Sequence, residues 1–372
     1  MQSICPVCHL QAPDGNLYCE KPECPAEVGL RLFRKGDLVG DVEIVKVISV
    51  LPSAVIYEAT RQTEKIFFKV AHQGEPHRER LKREAAIFRK LLGSKHDLPY
   101  FPTLLPPYSF TKVSQSEASY GKIGYEGALY YYLVFAYAPS EALSTVLSRQ
   151  PQFWINHVGW IMVSATTALA YLQQAGIFHY ALNPDAILVR FDEEPPRTPR
   201  VLLADLGVAA GRQDWASAWN AGLIPPAYAA PELIDERHHA IKKDGQAVRM
   251  DPHTDVYGLG GILYEMLVGR PPAAERPHTT AALFDDILAG NLVDMSRRED
   301  VRHVAEIAVN ATALKASQRI ESASAMGGQL IKIFGEVPPE KKPRTFNLRT
   351  AGMVIGALLL VAMLLALALT LL

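Results

Sequence analysis

The sequence predicts an α+β fold, strand-rich first and helical after, flanked by a small cysteine unit and a terminal apolar helix. Three observations carry this. Apolar residues alternate with period two between Val42 and Val70, so the first part is strand-rich. From Ala142 to Ser148 and again from Val158 to Ala175 the apolar spacing is that of helices. All four cysteines fall at or before Cys24, and the last 22 residues, Ala351–Leu372, carry no charge.

With 372 residues, 49% of them apolar and 21% charged, the chain is long and apolar enough to bury a sizeable core. The formal net charge of −1 provides no whole-chain attraction for nucleic acid, so contact with nucleic acid is not expected outside a local basic patch. Met1–Leu10 has neither a basic start nor an apolar run long enough for a secretory signal, which places the bulk of the chain in the cytoplasm.

Residues 1–30 hold the cysteines in two close pairs, Cys5 with Cys8 and Cys19 with Cys24. Each pair suits one tight knuckle, and together they suit a tetrahedral zinc ion held by four thiolates. Two disulfides would need an oxidising compartment, which the absence of a signal sequence speaks against. His9 is a spare donor beside a site already complete. So short a unit cannot bury a core, so zinc would supply its folding energy as a structural cofactor. Its role stays open between a folded peg, a protein contact and a nucleic-acid contact, of which the last has little basic charge to support it.

Strands are expected at Val42–Ile48, Ala54–Ala59 and Lys65–Val70, broken at Leu51-Pro-Ser and Arg61-Gln-Thr, as an antiparallel meander. A helix follows at His77–Leu92, with Leu81, Ala85, Phe88 and Leu92 on one face. Leu104–Leu129 is poorly patterned and fits two strands with an insertion. Tyr130–Leu143 then reads as a strand running into a hinge.

Several stretches in this order resemble the eukaryotic-type (Hanks-type) Ser/Thr protein kinases. Ile66-Phe-Phe-Lys69 is similar to the family's V-A-I-K strand, with Glu84 at the position of its helix glutamate. Gly176–Leu188 contains His-Tyr-Ala-Leu-Asn-Pro-Asp-Ala-Ile-Leu, which resembles the catalytic loop H-R-D-L-K-P-E-N-I-L. Ala204-Asp-Leu-Gly207 resembles D-F-G, and Ala229-Ala-Pro-Glu232 the A-P-E stretch. Asp255–Pro272 follows the central helix of the second lobe nearly position by position. The resemblance implies a two-lobed protein-kinase-like domain at 38–335, with the N-lobe at about 38–136 and the C-lobe at about 137–335.

The same resemblance implies a nucleotide site whose parts are unevenly kept. Lys69 paired with Glu84 would face the α/β-phosphates, Asp205 would hold Mg²⁺ or serve as a turn residue, and the backbone at Ala136 and Ala138, next to Phe135, would read adenine. Against these, Ser49, Leu51 and Ala54 stand at the three glycine positions of the phosphate loop, with Pro52 between them, which speaks against tight ATP binding. Ala181 replaces the catalytic aspartate, Asn183 the loop lysine and Ala186 the asparagine that binds metal. No catalytic residue is therefore assigned. Asp185 is the one stand-in base or metal ligand, against the plainer reading of an N-cap or solvated carboxylate. Tyr180 replaces the arginine that reads activation-segment phosphate, and Pro225 the usual threonine. Asp255 is expected to tie the central helix to the catalytic loop, and Glu232 to pair with Arg319.

Residues 336–350 form a proline- and charge-rich linker, and 351–372 would span ~33 Å as a helix, enough for a bilayer. Lys341, Lys342, Arg344 and Arg349 precede it, so the positive-inside rule predicts a single-pass C-terminal membrane anchor with the kinase-like domain cytoplasmic. Gly352 and Gly356 form a G-x-x-x-G, open between a homodimer contact and chance in a small-residue span. The functional expectation is a membrane-tethered pseudokinase that binds protein partners as a signalling scaffold or nucleotide-responsive regulator. The alternative is an atypical active Ser/Thr kinase using Lys69, Glu84, Asp205 and Asp185.

Overall fold

The structure, a computed structural model, describes residues 2–4, 11–12, 30–94, 98, 100–108, 119–150, 153–211, 227–234, 251–272, 278–289 and 298–340. The chain divides into two compact units, Met1–Val337 and Pro338–Leu372. At the start, β1 (Gln2–Ile4), β2 (Gln11–Ala12) and β3 (Leu30–Leu32) form an antiparallel sheet in the order β2-β1-β3. Cys5, Cys8, Cys19 and Cys24 lie outside the described residues, and among the described residues no group of His, Cys, Asp or Glu is placed to hold a metal.

The alternation from Val42 onward folds as β5 (Val42–Val50), β6 (Ala54–Arg61) and β7 (Glu64–Ala71), preceded by β4 (Leu38–Val39). With β8 (Leu104–Leu105), β9 (Gly121–Tyr125) and β10 (Ala128–Ala136) they make a seven-stranded sheet in the order β4-β5-β6-β7-β10-β8, with β9 on β10. Period two sends alternate side chains to two cores. Val55, Tyr57, Ile66, Phe68, Val70 and Val134 fill a small core around Phe33 on one face. Ile56, Phe67, Leu133 and Phe135 face the other way and join the main core. Helix α1 (Glu75–Ser94) covers that second face with Leu81, Ala85 and Phe88, each about one helical turn from the next and all buried.

The second lobe begins with β11 (Glu141–Ala142), α2 (Leu143–Arg149) and α3 (Ile155–Gln174), then β12 (Ile177–Phe178), β13 (Ile187–Phe191), β14 (Pro199–Leu203) and β15 (Ala210–Gly211). β11, β13 and β14 pair in that order, and β12 pairs with β15, so the segment 176–211 is pinned at both ends of a loop that carries the site. After α4 (Pro231–Ile234) comes α5 (Pro252–Val268), buried along nearly its whole length. Asp251 caps its first turn through the His253 N–H, and Gly269 ends it at φ +81, a left-handed conformation that glycine adopts without steric penalty. Helices α6 (Thr280–Ala289), α7 (Arg298–Ala311) and α8 (Ala323–Phe334) complete the lobe. The glycines of α5 answer to packing: a Cβ on Gly260 would lie 2.7 Å from that of Ala311.

No helix among the described residues is long and apolar enough to cross a membrane. The expected span at 351–372, and linker residues 341–350, lie outside the described residues.

Candidate functional site

The site lies where the two lobes meet, between β5–β7, the inner face of α1 and the loops after β12 and β14. Its centre is Lys69. Pairing of β7 with β6 and β10 fixes the strand, and alternation turns Lys69 to the side facing α1. Its Nζ donates at 2.7 Å to Glu84 of α1, at 2.7 Å to Oδ1 of Asp205 and at 3.2 Å to the Ala204 carbonyl. Lys69 and Glu84 are 1% exposed and Asp205 3%. The structure therefore brings together the lysine, helix glutamate and D-F-G aspartate named from the sequence.

Two carboxylates share one ammonium in a dry site, and their titration divides accordingly. Burial pulls Lys69 down, but Asp205 and Glu84 outweigh it and hold the ammonium above the ordinary lysine range. Burial raises Asp205, yet the Lys69 charge and hydrogen bond prevail and keep it below the usual carboxylate range. Glu84 is pushed to about 7 by burial first, with the Asp205 charge adding to it against the pull of Lys69. Glu84 also accepts the Leu206 N–H at 2.9 Å, and Asp205 accepts that of Gly207 at 3.1 Å. Asp205 Oδ1 thus accepts from two of the protein's own donors, Lys69 Nζ and the Gly207 N–H.

The catalytic-type loop is held from below by Asp255, which accepts the backbone N–H of His179 at 3.1 Å and of Tyr180 at 2.8 Å. Those bonds stabilise Tyr180 at φ +63, a costly conformation for a bulky residue, and Tyr180 packs into an apolar cluster with Phe178 and Leu233. Burial holds Asp255 above the usual carboxylate range, offset in part by His179 and these donors. Ala181 and Ala186 are 3% and 0% exposed, so the places of the base and the metal ligand are methyl groups within the core. Asn183 is satisfied locally, donating to the Ala181 carbonyl at 2.9 Å and accepting the Asp185 N–H at 2.9 Å as cap of the short 184–186 turn. The Asp185 carboxylate accepts from Ser144 Oγ. Asn183, and not Asp185, is the cap, and Asp185 is half-buried with its carboxylate bonded to Ser144.

Glu232 and Arg319 form a two-pronged ion pair at 2.6 and 2.7 Å, with Arg319 also donating to the carbonyls of Ala313 and His253. The segment bearing Pro225 lies outside the described residues.

At the hinge, the Ala136 N–H donates to the Thr103 carbonyl at 2.9 Å, and the Ala138 carbonyl accepts from Ser140 Oγ at 2.8 Å. Sequence reading assigned no role to several residues that the structure places here. Phe67 lies on the Lys69 side of β7, 1% exposed, with its ring centroid 5.1 Å from that of Tyr137. Tyr137 Oη donates to Glu58 at 3.0 Å. Ser49 Oγ crosses from the first lobe to the Asp185 carbonyl at 3.0 Å. The Phe67 signal was present in the sequence: Ile-Phe-Phe-Lys has phenylalanine where V-A-I-K has alanine.

Comparison with known proteins agrees with this geometry. The family described as protein kinase domain matches residues 120–332. A serine/threonine-protein kinase of Drosophila melanogaster is 30% identical over 159 residues, which is 43% of this chain and 19% of that protein. Serine/threonine-protein kinase PknB of Mycobacterium leprae is 26% identical over 211 residues, 56% of this chain and 31% of that protein. The chain therefore spans less than a third of either relative. Among solved structures, a mutant form of the Mycobacterium tuberculosis PknI kinase domain has a TM-score of 0.51 at 16% identity, over 82% of this chain and 99% of that one, which shows a shared fold. The chain belongs to the protein kinase family.

Proposed function

We propose that this chain is a pseudokinase, a kinase-like platform that binds protein partners and does not transfer phosphate. The observation that carries the reading is the catalytic loop: Ala181 and Ala186 are buried methyl groups, Asn183 is bonded within the loop, and the Asp185 carboxylate accepts from Ser144. Phosphoryl transfer depends on a positioned base and on metal-assisted charge stabilisation, and loss of such groups lowers rates by orders of magnitude. The family in general uses ATP with Mg²⁺, and the residues here fit that pair only in part: Lys69, Glu84 and Asp205 are assembled, while buried alanines stand at 181 and 186 where the base and the second metal ligand would be.

The competing reading, an atypical active Ser/Thr kinase, is favoured by the assembled Lys69–Glu84–Asp205 set. Incubation of the full chain with labelled ATP and Mg²⁺ or Mn²⁺, beside Lys69→Ala, separates the two. No Lys69-dependent incorporation into the chain or a generic acceptor protein is expected; such incorporation would reject the pseudokinase reading.

We further propose a single-pass anchor at 351–372 with the kinase domain on the cytoplasmic side, and zinc on Cys5, Cys8, Cys19 and Cys24, both supported by sequence pattern. Retention in membranes through an alkaline wash tests the anchor, and metal analysis of the purified chain at one zinc per chain tests the ribbon. Release of the chain, or absence of zinc, would sink the corresponding placement.

A further inference from the structure

We infer that the nucleotide cleft is filled by the chain's own side chains, with Phe67 in the purine position, so that the two lobes hold their closed arrangement without a nucleotide. The inference rests on the pseudokinase reading and deepens it, because it concerns binding and not transfer.

The placement follows from strand geometry. In β7 the ammonium of Lys69 marks the cleft side, and Phe67, two residues nearer the hinge, is on the same side. Its backbone partner in β10 is Phe135, the residue just before the hinge, and its ring lies 5.1 Å from that of Tyr137 within the hinge. Phe67 thus occupies the interval between the group that would meet phosphates and the backbone that would read a base. An alanine there leaves a slot for a flat heterocycle; a phenylalanine supplies an aromatic ring of its own.

The walls agree with a filled slot. Ile48, Leu51, Ile56 and Phe67 from the first lobe, and Leu188, Ala204 and Leu206 from the second, are at most 7% exposed and belong to one continuous core. Groups so deeply buried present no open slot to a purine, as expected of a closely packed interior. Of three polar contacts here, one crosses the cleft and two brace the first lobe, against its own loop and against the hinge. Ser49 Oγ donates across the cleft to the Asp185 carbonyl at 3.0 Å. The His72 ring, held neutral at a pKa of about 4 mainly by burial, donates to the Leu51 carbonyl at 2.8 Å and holds the loop tip down. Tyr137 Oη donates to Glu58, which Lys65 and Lys46 also approach, across the outer edge of the hinge. The loop that elsewhere needs glycines to wrap phosphates here carries Ser49, Leu51 and Ala54, whose side chains are all buried.

Thermal unfolding of the full chain with adenosine, and separately with ATP and Mg²⁺, tests the inference. Adenosine has no phosphate, so it reports on the purine slot independently of Lys69 and of any transfer chemistry. No rise in midpoint is expected for the natural chain with either compound. Phe67→Ala, and the gentler Phe67→Val, should gain a rise of about 3 °C with millimolar adenosine. If a variant does not fold alone, adenosine should restore its folding. A rise for the natural chain, or variants that neither shift nor recover with adenosine, would overturn the inference. Phosphate incorporation by the natural chain would instead overturn the pseudokinase reading.

Discussion

Replacement of Lys69 by methionine should unfold the domain more readily, and by an amount that reports how the lysine is used. The ammonium is 1% exposed and bonded at 2.7 Å to each of two carboxylates. Lys69→Met preserves the apolar stem and removes the charge, leaving Glu84 and Asp205 buried and facing each other. Removal of one partner from a buried ion pair costs about 3–5 kcal/mol, because the other is left uncompensated. Part of that loss is recoverable, since Glu84 already sits near 7 and one proton shared by the two carboxyls would relieve the repulsion. The variant should therefore be about 3–5 kcal/mol less stable at pH 8 and regain some of the difference toward pH 5. Urea unfolding followed by tryptophan fluorescence, with the slope checked for constancy, measures it. A loss below about 1 kcal/mol at pH 8 would refute the reasoning, since it would mean that the ammonium is not committed to the fold.

Three further outcomes follow from the same geometry. Glu84 has a folded pKa of about 7 against an unfolded value of 4.5, so its contribution is fully present below 4.5 and is lost as pH rises through 7; the shift corresponds to about 3 kcal/mol. Glu84→Gln should remove that decline between pH 5 and 7.5 in urea titrations, and an unchanged slope would contradict the assignment. Arg319 is fully buried and makes two bonds to Glu232 besides those to carbonyls, so Arg319→Ala should cost about 3–5 kcal/mol and lower the thermal midpoint by about 10 °C; a drop under about 2 °C would show the pair to be dispensable. Ala181→Asp restores the family's aspartate at a position that is 3% exposed, so it should destabilise the domain by about 2–4 kcal/mol and yield no phosphotransfer. Activity in that variant would mean that the rest of the site is competent after all.

The parts of this fold legible in sequence are those whose signal is local. Alternation at Val42–Val70 produced β5 to β7 because each strand's two faces serve different cores, and the spacing of Leu81, Ala85 and Phe88 produced α1 for the same reason. Asp255, Glu232 and Arg319 were legible through motif context, since each must pair once buried. What sequence did not disclose depends on residues far apart along the chain. Lys69 and Asp205 are 136 positions apart, and so are Ser49 and Asp185, and only the closed arrangement of the lobes makes these contacts. Phe67 was visible as a letter, but whether its ring fills a slot or turns into solvent depends on the floor that the second lobe provides.

The pattern of retention has a physical order. Lys69, Glu84, Asp205 and Asp255 are buried charges whose partners are also buried, so loss of any one leaves an unpaired group at a cost the whole domain would feel. The Asn183 and Asp185 side chains bond to neighbouring loop and helix groups, while positions 181 and 186 carry alanines that need no side-chain partner. Side chains required for folding are thus those that resemble the family, and side chains that serve only chemistry are those that differ. On this view Lys69 is evidence about stability before it is evidence about ATP. The same holds for Asp205, whose low pKa would suit a metal ligand but arises, against burial, from the protein's own groups, first the ammonium 2.7 Å away and then His179 and the Gly207 N–H.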